Sequence, residues 1–130
     1  MTSTAQETGA VIGWKLDEEQ RRELLQQFPP RFRRVVADHV TLQAKANPRA
    51  PLPDAVTGEI VGVAEDGRGV EALVVAIDGG TDRPGGGTYH ITWSLEPGRK
   101  AKESNDVIAR LGWRQYDLPM PVRLVPARFD

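Results

Sequence analysis

At 130 residues the chain is long enough to bury a real core and too short for two ordinary domains, so one domain is the expectation. A formal net charge of −1 and a pI near 6.1 leave no basic footprint of the kind duplex binding needs; duplex DNA is excluded as a partner, while a nucleotide or a strand end remains. With no cysteine there is no disulfide framework, no thiolate nucleophile and no cysteine metal site.

Met1 to Ala10 is polar and lacks the basic start and apolar stretch of a targeting signal, and no run approaches bilayer length. A soluble, cytoplasmic protein without a membrane partner is expected, with residues 1–8 a disordered lead-in and 9–130 the domain. Val11, Ile12 and Trp14 predict a strand from Gly9 to Leu16. Asp17 then reads as a helix N-cap with Gln20 three places on, a capping-box arrangement, and Leu24, Leu25 and Phe28 form the buried stripe until Pro29 and Pro30 stop the helix. Arg31, Arg33 and Arg34 make a basic turn. The segment Ala44 to Asp54, with three prolines, reads as a loop.

Val56 to Ala64 and Val70 to Ile77 predict a hairpin turned at Glu65–Gly69, the second strand central because its run is almost continuously apolar. The glycine-rich stretch Asp78 to Gly87 lacks the Gly-Lys-Ser/Thr ending and following helix of a phosphate-binding P-loop, and reads as a mobile hairpin connection. Arg99, Lys100 and Lys102 form a second basic patch. Ser104 or Asn105 caps a short helix carrying Val107, Ile108 and Leu111 and ending at Gly112, and a last strand spans Met120 to Val125. Strands with two interspersed helices describe an α+β domain with helices packed on antiparallel sheet.

One pattern occurs twice: His39-Val40-Thr41-Leu42 and His90-Ile91-Thr92-Trp93. It uses every histidine in the chain. On a strand, residues two apart share a face, so each imidazole stands beside a hydroxyl. His39, Thr41 and Gln43 form one polar face, with Val36, Val40 and Leu42 opposite and Asp38 the lone polar residue on that apolar side. Thr88, His90, Thr92 and Ser94 form the other, with Tyr89, Ile91, Trp93 and Leu95 opposite, a half-buried alternation. Two imidazoles suit phosphate ester chemistry, one taking a proton from the attacking water and one giving a proton to the leaving oxygen, while hydroxyls hold the non-bridging oxygens. Two histidines without a matching carboxylate cluster make a poor zinc site, so no metal or other cofactor is expected.

The paired tetrads resemble the signature of the two-histidine phosphoesterases. The likeness extends to the flanking text, Phe28-Pro29-Pro30 before the first tetrad and Pro97-Gly98, Lys102, Ser104, Asn105 and Val107 after the second, which is similar to cyclic phosphodiesterase-like domains of RNA-repair and tRNA-ligase proteins and to the bacterial RNA 2′,5′-ligase group. The resemblance covers Gly9 to Val125. It implies a compact bilobal fold of antiparallel sheets with pseudo-twofold symmetry, helices outside, and the two His strands lining a central cleft. It also implies a metal-independent hydrolase opening a 2′,3′-cyclic phosphate at an RNA end or on a nucleotide, in RNA repair or processing. Carried over, His39 and His90 are general acid and base, in either order, and Thr41 and Thr92 the phosphate ligands. Gln43, Ser94, Ser104 and Asn105 are secondary substrate-binding candidates, and Arg31, Arg33, Lys100 and Arg114 are eligible phosphate anchors. Hydrolysis of cyclic oligonucleotide signals, a non-catalytic phosphate- or RNA-end-binding module, and two structural strand edges are the alternatives. Trp93 departs from the commoner aliphatic residue, and the tetrads stand closer together than is usual for the family.

Overall fold

The computed structural model describes residues 10–129; the lead-in expected over residues 1–8 and the strand start at Gly9 lie outside them. The described elements are strands β1 (Ala10–Leu16), β2 (Arg34–Val35), β3 (His39–Ala46), β4 (Thr57–Glu65), β5 (Val70–Ala76), β6 (His90–Leu95) and β7 (Arg114–Phe129), with helix α1 (Glu18–Gln27) between β1 and β2 and helix α2 (Glu103–Leu111) between β6 and β7. All seven strands join one sheet in the order β2-β6-β5-β4-β7-β1-β3, and every pairing is antiparallel. The fold class is thus α+β, as the pattern of elements predicts. Among the described residues no helix is long and apolar enough to cross a membrane.

The two edge strands of this sheet, β2 and β3, are consecutive pieces of chain separated only by Val36, Ala37 and Asp38. The sheet therefore curls round toward itself, and those three residues form the corner. Val36 and Ala37 donate to the Trp93 and Thr92 carbonyls of β6, and the Asp38 carbonyl accepts from Leu16 of β1. The chain thus changes partner within two residues. Buried Ala37 takes a left-handed conformation to do so, with φ 42°. Such a backbone costs a non-glycine residue about 1–3 kcal/mol and persists only where its surroundings hold it. Arg21 of α1 supplies part of that hold by donating to the Ala37 carbonyl at 2.7 Å and the Val36 carbonyl at 3.2 Å. The kink also interrupts the strand alternation, so Asp38 is exposed and reaches polar partners instead of lying on an apolar face.

Helix α1 starts as expected, the Asp17 carboxylate accepting the Gln20 N–H at 2.9 Å. Gln20 does not return the bond in a capping box. Its amide donates to the Pro121 carbonyl and accepts the Arg123 N–H, tying the helix to β7. Helix α2 departs from expectation: its N-cap is Lys102, without a side-chain cap bond, and Ser104 is buried in the first turn. Gly112 ends it as expected. The last strand is far longer than Met120 to Val125 because β7 has two partners, β4 along Arg114–Arg123 and β1 along Leu124–Phe129. Strand β3 likewise runs on to Ala46, which pairs with Ala10, and Arg34 belongs to a short strand instead of a turn.

Strand β5 is central, between β4 and β6, and buried on both faces: Leu73 and Val75 join Trp14, Leu24, Val40, Ile60, Ile91 and Trp93, whereas Ala72 and Val74 pack with Leu95 and with Val107 and Ile108 of α2. Strand β6 differs from its half-buried prediction. All six of its residues are buried, because its polar side is covered by hydrogen-bonded neighbours from α2 and β5.

Candidate functional site

The corner at Ala37 delivers His39 to the start of β3, and the glycine-rich hairpin after β5 delivers His90 to the start of β6. Both imidazoles, with Thr41 and Thr92, line a single cavity of about 260 Å³. Arg83, Lys102, Asn105, Val11, Ala44, Ala101 and Phe129 complete its wall, which contains no carboxylate among the described residues. Two larger hollows, of about 540 and 570 Å³, lie beside Trp113 and beside Arg22, and neither includes a histidine. Among the described residues no three His, Asp or Glu side chains gather as metal ligands would.

The two rings are held differently. His90 is buried, with Nδ1 2.8 Å from the Thr88 carbonyl. A carbonyl can only accept, so Nδ1 carries the proton and Nε2 keeps a lone pair. Burial pushes the His90 pKa below its ordinary value; the Thr88 bond opposes this, and the charges of Arg83 and His39 push it further down. His90 is therefore a neutral acceptor at neutral pH. His39 is half-buried and sets its Nδ1 3.0 Å from Asp38 Oδ2, an oxygen that also accepts Lys15 Nζ at 2.7 Å. The Phe129 ring meets the imidazole edge-on, centroids 4.7 Å apart, and Lys15 Nζ lies 4.8 Å from the same ring. Burial pushes the Asp38 carboxyl up, but hydrogen bonds from Lys15 and His39 outweigh it and hold the group below its ordinary value.

The hydroxyls also differ. That of Thr41 makes no hydrogen bond among the described residues, whereas Thr92 Oγ1 lies 3.3 Å from the Ala101 carbonyl and 2.9 Å from Ser104 Oγ. With one proton to give, Thr92 can donate into the cavity only if Ser104 donates to it and the Ala101 bond is released. Ser104 is thus placed behind Thr92 and not in the cavity wall. Asn105 is in the wall, its Oδ1 accepting Arg83 and its Nδ2 donating to the Lys102 carbonyl.

The structure does not bring Gln43 or Ser94 to the cavity. Gln43 is exposed farther along β3, opposite Ile12. Ser94 is fully buried, donating to Glu71 at 2.6 Å and accepting the Phe32 N–H; with Glu71, which accepts the Arg31 N–H, it anchors the segment after α1. Arg31 pairs with Glu65, Arg33 with Glu96, and Arg114 lies over Tyr116, and neither they nor Lys100 line the cavity.

Arg83 is the wall residue that sequence reasoning passed over. Its signal is its setting: the one cation in the stretch Asp78 to Gly87, followed directly by proline and three glycines. That hairpin is tied by bridges between Ile77 and Gly80 and between Asp82 and Thr88. Gly87 has φ 94°, and a Cβ there would stand 2.8 Å from Arg83 Nη2, so glycine is what lets the guanidinium lie across the loop backbone.

No family model, curated protein or solved structure matches this chain.

Proposed function

We propose that this chain is a metal-independent phosphodiesterase that opens a 2′,3′-cyclic phosphate, on a nucleotide or at an RNA end, by two-histidine acid/base catalysis. The observation that carries the reading is the convergence of both imidazoles, both tetrad threonines and two cations on one cavity. In the hydrolytic direction His90, neutral and with Nε2 free, takes a proton from water as the water oxygen bonds to phosphorus. The bond from phosphorus to one ribose oxygen breaks in line, and His39, backed by Asp38, gives that oxygen a proton. Thr41 donates to a non-bridging oxygen, and Thr92 does so with Ser104 donating behind it.

In this reading the domain is bilobal. One lobe comprises β3, β1 and the second half of β7, the other β2, β6, β5 and β4, and a pseudo-twofold relates the tetrads across the cleft. A cavity of about 260 Å³ is at the small end for ligand sites. It suits a cyclic phosphate and its ribose with the base left outside, so discrimination among bases is weak. The protein acts in the cytoplasm, in RNA repair or processing.

The test is phosphorus NMR of nucleoside 2′,3′-cyclic phosphates incubated with wild type, His39→Ala and His90→Ala in EDTA. Wild type is expected to yield a single monoester, and either variant to lose at least about 10²-fold in rate. A strict requirement for a divalent metal, or undiminished turnover in both variants, would overturn the mechanism.

A further inference from the structure

One cation, Arg83, is carried into the cavity by the glycine-rich hairpin. Among the described residues Arg83 has no carboxylate within ion-pair distance. Its Nε donates to the Gly86 carbonyl at 3.1 Å, Nη1 to the Thr41 carbonyl at 3.4 Å and Nη2 to Asn105 Oδ1 at 3.2 Å, and all three acceptors are neutral. A guanidinium has five N–H donors. Two of those on Arg83 therefore remain after these bonds, its charge is uncompensated by these partners, and the wall around it holds Lys102 and both imidazoles but, among the described residues, no acid.

The internal bonds also fix where the fork sits. One reaches β3 at Thr41, one reaches α2 at Asn105 and one closes the hairpin's own turn, so the hairpin, the first tetrad strand and the second helix meet at this one group. Arg83 and Lys102 stand in the same wall as both imidazoles. An anion in the cavity meets them there: the N–H groups of a planar guanidinium fork match two oxygens of a phosphate, at the strength of charge-assisted bonds.

We infer that Arg83 is a further substrate-binding residue, gripping the non-bridging oxygens of the ligand's phosphate with its two remaining N–H donors, while its other three hold the glycine hairpin, β3 and α2 around the ligand. The inference rests on the cavity being the phosphate site proposed above. It explains the composition of the hairpin. Pro84 and the glycines are there to turn a guanidinium back over its own loop, in place of the helix N-terminus that a P-loop would use.

The inference is tested by binding, independently of turnover. Adenosine 3′-monophosphate and inorganic phosphate are titrated into wild type, Arg83→Ala, Arg83→Gln, Arg83→Lys and, as a control cation at the tip of the β4–β5 hairpin, Arg68→Ala, with ¹H–¹⁵N NMR reporting both affinity and fold. Wild type and Arg68→Ala are expected to bind both probes alike. Arg83→Ala and Arg83→Gln lose about 10- to 100-fold for both, by a similar factor because the lost contact is with phosphate. Arg83→Lys keeps the charge without the fork and falls in between. Should Arg83→Ala disturb the spectrum beyond the hairpin, Arg83→Gln and Arg83→Lys decide. Wild-type affinity in the Arg83 variants, a loss confined to the nucleotide with inorganic phosphate unaffected, or no phosphate binding by wild type would each overturn the inference. Arg83-dependent phosphate binding without opening of any cyclic phosphate would instead count against the hydrolase and leave Arg83 in place.

Discussion

The two tetrads share a text and live in different physics. The second lies in a strand buried along its whole length, paired with β5 and covered by α2, and its histidine leans on a backbone carbonyl. The first opens an edge strand just past a strained corner, and its histidine leans on a carboxylate shared with a lysine. Burial deprives His90 of water and disfavours its charged form, while Asp38 puts a negative charge within hydrogen-bond reach of the His39 ring. One sequence pattern thereby yields two imidazoles in unequal surroundings. The asymmetry extends to the residue before each histidine: Asp38 is a polar partner, Tyr89 a core residue packed edge-on against Trp14 with centroids 5.8 Å apart.

The contrast in packing breaks most sharply at the fourth position of each tetrad. Trp93 is wholly buried and donates its indole N–H to the Phe28 carbonyl at 2.8 Å, whereas Leu42 is only partly buried. Trp93→Ala is expected to cost about 3–5 kcal/mol in urea unfolding and Leu42→Ala less than about 2 kcal/mol. Equal costs would mean that the two strands are packed alike.

Asp38→Asn sharpens the contrast between the rings. If the carboxylate positions His39, the variant lowers kcat about 10- to 100-fold, and long-range ¹H–¹⁵N spectra show the ring signals of His39 changing while those of His90 stay in place. Unaltered His39 ring signals with unaltered kcat would remove Asp38 from the site.

The smallest effect is on stability against pH. Because the pKa of His90 is lowered on folding from its ordinary 6.5, the unfolded chain binds its proton at a pH where the folded one does not. The stability associated with the neutral ring is therefore fully present above pH 6.5 and is lost as pH falls through that value and past the native pKa. Urea midpoints of wild type and His90→Asn between pH 5 and 8 should diverge in that direction, the variant showing the shallower fall on acidification. Parallel curves would show that burial imposes no penalty on the charged ring.

Most elements could be read from local pattern, since the forces that specify them act over a few residues. Asp17 and the following leucines place α1, the apolar run of β5 its central position, and Asp-Gly the β4–β5 turn. The paired histidines and threonines announced themselves in the same way, by alternation along a strand. What escaped was everything set by a distant partner. The length of β7 depends on two neighbours remote in the chain, and Ser104 lies inside α2 because its hydroxyl meets Thr92. Ser94 has the same alternation as His90 yet faces Glu71 in the interior, and Arg83, in a loop without periodicity, reaches the cavity by folding over glycines. Sequence by itself determined the α+β class and the two His-x-Thr pairs, because periodicity and turn chemistry are local. Only the tertiary structure decided that the sheet curls until its edges meet at Ala37, which brings residues from β3, β6, α2 and the hairpin to one cavity, because closure is a property of long-range pairing and burial.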